Sequence, residues 1–209
     1  MSRATSRPTG RKPPAQRSAE IVDAAIKIAC DEGLSAVKLR SVAAAASVAP
    51  GLVAHYVSSM DELVATCFER ITRAELEEVR EILDSAPTPS RRLAQLLATV
   101  FDSTRDDVTL VWVEAWTLGR TNERLAASVR DVMDAWHAAL AEVIAAGVAS
   151  GEFDIETPDE AAWHLLGMID GLNAQALVHW RPATRTSALN GLAERLLGAP
   201  SGTLTNLVG

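Results

Sequence analysis

The 209-residue chain contains only two cysteines, Cys30 and Cys67, and aromatic residues make up 4% of it. So few cysteines exclude the disulfide framework of a small secreted domain. Its 12 glycines and nine prolines are too few for a collagen-like or low-complexity chain. Because 48% of the residues are hydrophobic, we expect a folded core rather than intrinsic disorder.

Long uncharged hydrophobic runs are also missing. The N-terminus begins Met1-Ser2-Arg3 and continues into Thr, Pro and Gly, and no 18-residue stretch elsewhere is both apolar and uncharged. We therefore expect neither a signal peptide nor a membrane span, and the sequence predicts a soluble cytoplasmic protein without a membrane partner.

Positive charge is scarce but concentrated. The net charge is -7, yet the first 60 residues carry eight basic and four acidic side chains, and the three lysines are Lys12, Lys27 and Lys38. Polyanions respond to local charge rather than to the net charge of a chain. A tail that only aids solubility stays an alternative, but a folded motif directly behind it would favour nucleic-acid binding.

The hydrophobic spacing indicates an all-α fold of about nine helices, because no segment alternates with the period of a strand. We expect residues 1–15 to be a disordered basic arm and a first helix to end at Gly33. A helix over Leu39–Ala45 should follow, then one that begins near Pro50 and ends close to Tyr56-Val57, and Ser59-x-x-Glu62 is a capping box that opens a long fourth helix. The expected units are a helix-turn-helix domain over 16–62, a bundle over 63–198 and a flexible tail over 199–209.

Residues 38–57 have the form of two short helices joined by a tight turn, the arrangement that places a helix in the DNA major groove. Over about 45 positions the chain resembles the TetR family of bacterial regulators. The resemblance rests on a first helix that ends at Gly33, followed by Val42-Ala43, Ala46-Ser47-Val48, Gly51, His55-Tyr56 and Asp61-Glu62-Leu63. The resemblance implies a ligand-controlled repressor with an N-terminal DNA-binding domain. The family usually has Gly at Ser47, Ser or Thr at Ala49 and Lys at Met60, and these departures leave open a protein that has lost DNA binding.

The candidate DNA-binding residues combine cations before the turn, small groups at the start of the third helix, an aromatic pair and the arm. They are Lys38, Arg40, Ser41, Ala49, Pro50, Gly51, His55, Tyr56, Arg11 and Lys12. Ala49 and Pro50 could contact thymine methyl groups, and the cations could reach phosphate or guanine. Packing inside the small domain is the alternative for His55 and Tyr56.

The larger domain resembles the C-terminal domain of betaine-pathway repressors, through residues 112–116 and 169–172. This does not identify the ligand, because such domains share a scaffold while their pockets diverge. The candidate effector-binding residues are Phe101, Trp112, Trp116, Met133, His137, Met168, Asp170 and Asn173, with Glu114 as a further candidate. Ordinary core packing is the alternative for the apolar members, whereas buried Asp170 and Asn173 need partners.

Helices expected roughly over Asp159–Trp180 and Thr184–Leu197 are the candidates for homodimerisation. Thr157-x-x-Glu160 forms a second capping box in front of the former, with Pro158 at the first helical position. Small residues on the first and an apolar stripe on the second give the candidate interface residues, Gly167, Gly171, Leu189, Leu192 and Leu196. The alternative is that the stripe faces its own core. A two-fold dimer would present two recognition helices to an inverted repeat of double-stranded DNA.

An enzyme is not expected. The four histidines are scattered, both cysteines stand alone and no glycine-rich phosphate loop occurs, so we expect no cofactor and no metal site.

Overall fold

The computed structural model describes residues 13–181 and 184–207. This part of the chain forms nine α-helices and no strand, which confirms the all-α prediction. The helices are α1 (Pro14–Glu32), α2 (Leu39–Ala45), α3 (Pro50–Tyr56), α4 (Met60–Ser85), α5 (Pro89–Val100), α6 (Asp106–Leu118), α7 (Glu123–Ser150), α8 (Pro158–Ala176) and α9 (Arg185–Leu196).

The first three helices form a small unit that we call the head. Proline at the first positions of α1 and α3 suits a helix start, because those positions need no N–H donor. Helix α1 ends at Gly33, whose φ of 90° lies in a region that glycine tolerates. Ile21, Val42 and Val53 are buried at the centre of the head and hold its helices together.

Helix α4 runs without interruption from the head into the bundle. The Ser59 hydroxyl accepts a hydrogen bond from the Glu62 backbone N–H at 3.0 Å, as the capping box predicts. Its 26 residues correspond to about 39 Å. Buried side chains such as Leu63 and Phe68 continue along one face, so α4 packs on α1 at one end and on α7 further along.

Helix α7 is the central helix of the bundle and packs against α4, α5, α6 and α8. Within the described ranges it is the one helix long and apolar enough to span a membrane, with a mean hydropathy of 1.3 over its best window. Core helices of soluble proteins share these properties. Near its end, Gly147 lies against the ring of the buried Phe153.

Helix α8 begins at Pro158 as expected, but it ends at Ala176 instead of Trp180. His179 and Arg181 have positive φ angles of 56° and 48°, which no continuing helix allows. The proline at position 182 of the sequence disfavours helical backbone at the residue before it. At the other end the Thr157 hydroxyl donates to the Glu160 carboxylate at 3.1 Å instead of accepting a backbone hydrogen bond, so the expected capping box is incomplete.

Residues 199–207, expected to be flexible, pack onto the bundle. Leu204 is fully buried, and the Glu194 carboxylate accepts hydrogen bonds from the backbone N–H groups of Gly202 and Leu204, each at 2.9 Å. Burial alone would raise the pKa of Glu194, but these backbone donors together lower it. The segment is therefore held by a charge-assisted contact that its small polar residues do not reveal.

Candidate functional site

The turn between α2 and α3 is as short as the sequence indicates. The Val48 backbone N–H donates to the Ala43 carbonyl at 2.9 Å, which folds the chain back directly after α2. Ser47 makes this possible with a φ of 54°. Left-handed backbone costs a residue with a Cβ about 1–2 kcal/mol, so this position favours the glycine that the resemblance implies there.

Helix α3 is anchored by one side and open on the other. Val53 is fully buried, whereas Ala49, Pro50, Gly51 and His55 are exposed. A Cβ placed on Gly51 would meet nothing within 4 Å, so packing within the described chain does not require glycine there. The outer face of α3 is therefore slim and free to approach another molecule.

The two aromatic side chains at the end of α3 differ in their exposure. The rings of His55 and Tyr56 meet edge-on with their centroids 5.2 Å apart. His55 is exposed, and Tyr56 is half-buried against the core of the head. Packing inside the head therefore accounts for part of the Tyr56 side chain but not for His55.

Cationic side chains stand beside α3. Lys38, Arg40 and Ser41 at the start of α2 are exposed, and neither cation forms an ion pair with any residue in 13–181 or 184–207. Arg11 and Lys12 lie outside the described residues. The described candidates on α2 and α3, apart from the half-buried Tyr56, are thus exposed on two helices that pack against each other.

A cavity of about 560 Å³, including its open mouth, lies between α4, α6, α7 and α8. Its walls are mostly aromatic and aliphatic, with two carboxylates among them. Five of the candidate effector-binding residues line it: Trp112, Trp116, Met133, Asp170 and Asn173.

Four other candidates lie elsewhere. The ring of Phe101 is covered by the Arg185 guanidinium, 5.6 Å from its centroid. The ring of His137 hydrogen-bonds through Nε2 to the Asp159 carbonyl oxygen at 3.0 Å. Met168 lies on the side of α8 opposite the residues that face the cavity, as the helical period of 100° per residue requires. Glu114 points to the head.

The sequence reasoning missed Glu75 and Trp136, which also line the cavity. Glu75 follows Phe68 and Ile71 at helical spacing on the buried face of α4, and this register could have distinguished it from its exposed neighbours Glu77 and Glu78. Trp136 has the same relation to Val129 and Val132 on α7.

The two carboxylates at the cavity differ in their partners. Glu75 accepts a hydrogen bond from the Trp112 indole at 3.1 Å and pairs with Arg105 at 3.6 Å. Burial raises the pKa of Glu75, against the opposing effect of these two partners. Asp170 has no ion-pair or hydrogen-bond partner among the described residues, and burial together with the charge of Glu75 raises the pKa of Asp170 to about 6.

A polar donor without a partner completes the cavity. The Nε1 atom of Trp136 is buried and has no hydrogen-bond acceptor in the described part of the chain. Unpartnered buried donors are uncommon because they cost about 1–3 kcal/mol. By contrast, Asn173 donates to the Val100 carbonyl at 3.1 Å and accepts from Arg185 at 3.4 Å, so the fold already uses its amide.

The candidate interface residues fall into two groups. Gly167 and Gly171 lie on the exposed face of α8 with nothing within 4 Å of a Cβ, beside Trp163, which is 69% exposed. Leu189 is fully buried in its own subunit, so its assignment to an interface is wrong and the core alternative holds there. Leu192 and Leu196 are partly buried.

No group of three or more His, Cys, Asp or Glu side chains within residues 13–181 and 184–207 is arranged to hold a metal ion.

Solved structures with this fold include two with bound ligands. A transcriptional regulator from Saccharomonospora viridis, in complex with choline, has a TM-score of 0.77 at 22% identity and covers 86% of this chain and 96% of that one. The regulator FadR from Bacillus subtilis, in complex with stearoyl-CoA, has a TM-score of 0.68 at 18% identity, covering 87% and 98%. At these identities the likeness shows the fold.

Sequence comparison identifies the family. A BetI transcriptional regulator from Rhizobium meliloti is 27% identical over 114 residues, so the matched segment spans 54% of this chain and little more than half, 56%, of that relative. Residues 21–67 match the tetR family of bacterial regulatory proteins, and residues 89–198 match the C-terminal domain of BetI-type transcriptional repressors. The chain therefore belongs to the TetR family of bacterial transcriptional regulators and carries a C-terminal domain of the BetI type.

Proposed function

We propose that this protein is a DNA-binding repressor that acts as a homodimer in the cytoplasm and is released from an inverted-repeat operator by a small organic cation. The observation that carries the DNA-binding role is the exposed, slim face of α3 together with Lys38 and Arg40, which are exposed at the start of the neighbouring α2 and form no ion pair with the described residues. Ala49 and Pro50 suit thymine methyl groups, and the two cations suit phosphates or guanine. His55 and Tyr56 would position α3 on the phosphate backbone of the DNA.

The exposed side of α8 is the proposed dimer surface. Trp163 on α8 is 69% exposed, and Val178 and Trp180 in the turn that follows α8 are 76% and 55% exposed. Such exposure is unusual for side chains of this size and supports an interaction surface. Gly167 and Gly171 would let a second helix come close. A two-fold axis through this face would repeat α3 at a fixed spacing, which is the geometry that reads an inverted repeat.

The cavity favours a cation as the effector. Asp170 has a pKa of about 6 and no counter-ion among the described residues, so near neutral pH its charge is uncompensated there, whereas Arg105 already compensates Glu75. The faces of Trp112, Trp116 and Trp136 can add cation–π attraction. The choline complex of the Saccharomonospora regulator supports this class, while the thioester-linked acyl-CoA bound by FadR would bring negative phosphates towards two carboxylates.

DNA sequences selected from a random pool by the full chain test the DNA-binding role. Lys38→Ala should weaken binding of the selected sequence and lower the slope of log affinity against log salt by about 1. Arg80→Ala is the matched control, because Arg80 is an exposed cation about 30 Å along α4 from the head. Equal effects of the two substitutions, or binding that does not depend on salt, would favour a protein that has lost DNA binding.

Gly51→Ala separates DNA contact from folding. Alanine should stabilise the short helix by about 0.5–1 kcal/mol, because the new Cβ meets only open space in the chain. The same methyl group should weaken operator binding if α3 lies against the groove. Unchanged operator affinity in the more stable variant would contradict the proposed docking of α3.

The effector class is tested by adding choline chloride, tetramethylammonium chloride or stearoyl-CoA to the protein–DNA complex. The two cations should release the DNA and quench tryptophan fluorescence, and Asp170→Asn should weaken both responses. Release by stearoyl-CoA alone would overturn the proposed cation.

A further inference from the structure

One carboxylate connects the wall of the cavity to the head. Glu114 on α6 accepts a hydrogen bond from the Ser35 backbone N–H at 2.8 Å through Oε2 and one from the Ser35 hydroxyl at 2.7 Å through Oε1. Ser35 lies in a short helical turn, Leu34–Ala36, between α1 and α2. Both oxygens of Glu114 are therefore committed to one residue of the head.

The neighbouring backbone is shaped to admit this carboxylate. A Cβ at Gly33 would lie 2.5 Å from Oε2 of Glu114, closer than two such atoms can approach. Gly33 thus serves two purposes, since its φ of 90° ends α1 and its missing side chain leaves room for Glu114. Any larger residue at this position would push the carboxylate out of reach of Ser35.

Helix α6 presents opposite faces to the two partners. Trp112, Val113 and Trp116 line the cavity, whereas Glu114 projects from the roughly opposite side at 100° per residue. A rotation or shift of α6 that accommodates a ligand on one face must therefore move the carboxylate on the other. Because the contact is bidentate and short, such a movement strains or breaks it instead of sliding along the turn.

A second contact lies just beyond α6. The Asn122 side chain donates to the Asp61 carbonyl in the first turn of α4 at 3.0 Å, and its oxygen accepts from the Leu125 N–H at 2.9 Å. Asn122 is buried and caps α7, so this contact fixes the α6–α7 turn to the base of the head. Of these two contacts, the one made by Glu114 is partly exposed and comes from the helix that forms the cavity wall.

We propose that Glu114 is the positioning residue through which occupancy of the cavity changes the orientation of the head. In the ligand-free state it holds the turn at Ser35, and with it the start of α2, against α6. Ligand binding that displaces α6 weakens this hold and so lowers the affinity for DNA. The inference rests on the proposed function only in its last step, because the contact itself can be measured without DNA.

The first experiment measures hydrogen exchange of the Ser35 amide in the full chain. Glu114→Ala should speed exchange there about tenfold or more, since it removes a charge-assisted hydrogen bond. Glu77→Ala, which removes an exposed carboxylate from α4, should leave it unchanged. The fold should survive Glu114→Ala, because Ser35 is exposed and water can replace the lost acceptor.

Glu114→Gln distinguishes hydrogen bonding from charge. A glutamine can accept from the Ser35 N–H and donate to its hydroxyl, which can turn from donor to acceptor. It should therefore keep most of the protection that Glu114→Ala loses, and Ser35→Ala, which keeps only the backbone contact, should lie between them. Equal loss in the glutamine and alanine variants would overturn the role of the contact.

The second experiment perturbs the cavity and follows the same amide. Choline chloride, or the substitution Trp116→Leu that alters the wall without any ligand, should change Ser35 exchange and operator affinity when Glu114 is present. In the Glu114→Ala background each perturbation should change both quantities less than twofold. If Trp116→Leu acts equally in both backgrounds, the inference is wrong; if only choline fails to act, the effector class is wrong; and if the wild-type chain selects no DNA, the proposed function is wrong.

Discussion

Asp170→Asn is expected to stabilise the ligand-free protein while weakening its proposed response to cations. Asp170 lies in the cavity without a partner among the described residues, and burial is the main reason that its pKa rises from 3.8 to about 6. The folded protein therefore binds this proton more tightly than the unfolded chain does. Ionisation of Asp170 opposes folding, and asparagine, which resembles the neutral acid, avoids that cost.

The size of the effect follows from the pKa. A difference of about 2 pH units corresponds to about 3 kcal/mol, because each unit is worth 1.36 kcal/mol. This cost is fully present above pH 6, falls to about half at pH 5 and disappears below the unfolded value of 3.8. The stability gained by Asp170→Asn should therefore be largest at pH 8 and shrink as the pH falls.

Urea unfolding at pH 8 and pH 5, at one fixed protein concentration, measures this difference. Asp134→Asn is the matched control, since Asp134 is an exposed carboxylate on α7 and its replacement should have little effect at either pH. A variant that is less stable than the wild type at pH 8, or a gain that does not vary with pH, would show that Asp170 has a stabilising partner in solution and would refute the reasoning.

Three further substitutions test the local structure by urea unfolding. Ser47→Gly should stabilise the protein by about 1 kcal/mol, because it relieves left-handed backbone, and a loss would assign a role to the hydroxyl. Gly147→Ala should cost about 1–3 kcal/mol despite alanine's helix propensity, since the Cβ would lie 2.1 Å from the Phe153 ring; a gain would mean that the ring moves freely. Glu194→Gln should cost about 1.5–3 kcal/mol at pH 7 and less as the pH falls through the lowered pKa of Glu194, whereas a pH-independent cost would contradict its ionised role.

The head could be predicted closely from the sequence because its boundaries are local events. Pro50 starts a helix, Ser59 with Glu62 caps one, and Gly33 ends one, and each of these effects acts within a few residues. The bounds of α2 were correct to the residue, and α3 begins and ends within the limits expected for it. The same reasoning placed the C-terminal end of α8 too late, because the backbone turns at His179 without a glycine in the sequence to indicate it.

The cavity was predicted less completely, because its walls depend on how four helices face one another. Trp112 and Asp170 stand out in the sequence by residue type, but Glu75 is one of three glutamates within four positions, and only its register on the buried face of α4 distinguishes it. The assignment of Leu189 to an interface failed for the same reason, since an apolar stripe does not show whether it packs on the core of its own chain or on a partner. The contact between Glu114 and Ser35 joins positions 79 residues apart and leaves no periodic signature.

Because α4 is long and unbroken, a small tilt of this helix moves its N-terminal end by several ångströms. With its far end clamped by α7, a tilt of about 5° over about 39 Å carries the near end through about 3 Å. If the two subunits of the proposed dimer tilt in opposite senses, the distance between their α3 helices changes by about twice that amount. This is more than the 3.4 Å rise of one base pair. Under the proposed function, a tilt of α4 by this small angle would put the two half-sites of the operator out of phase.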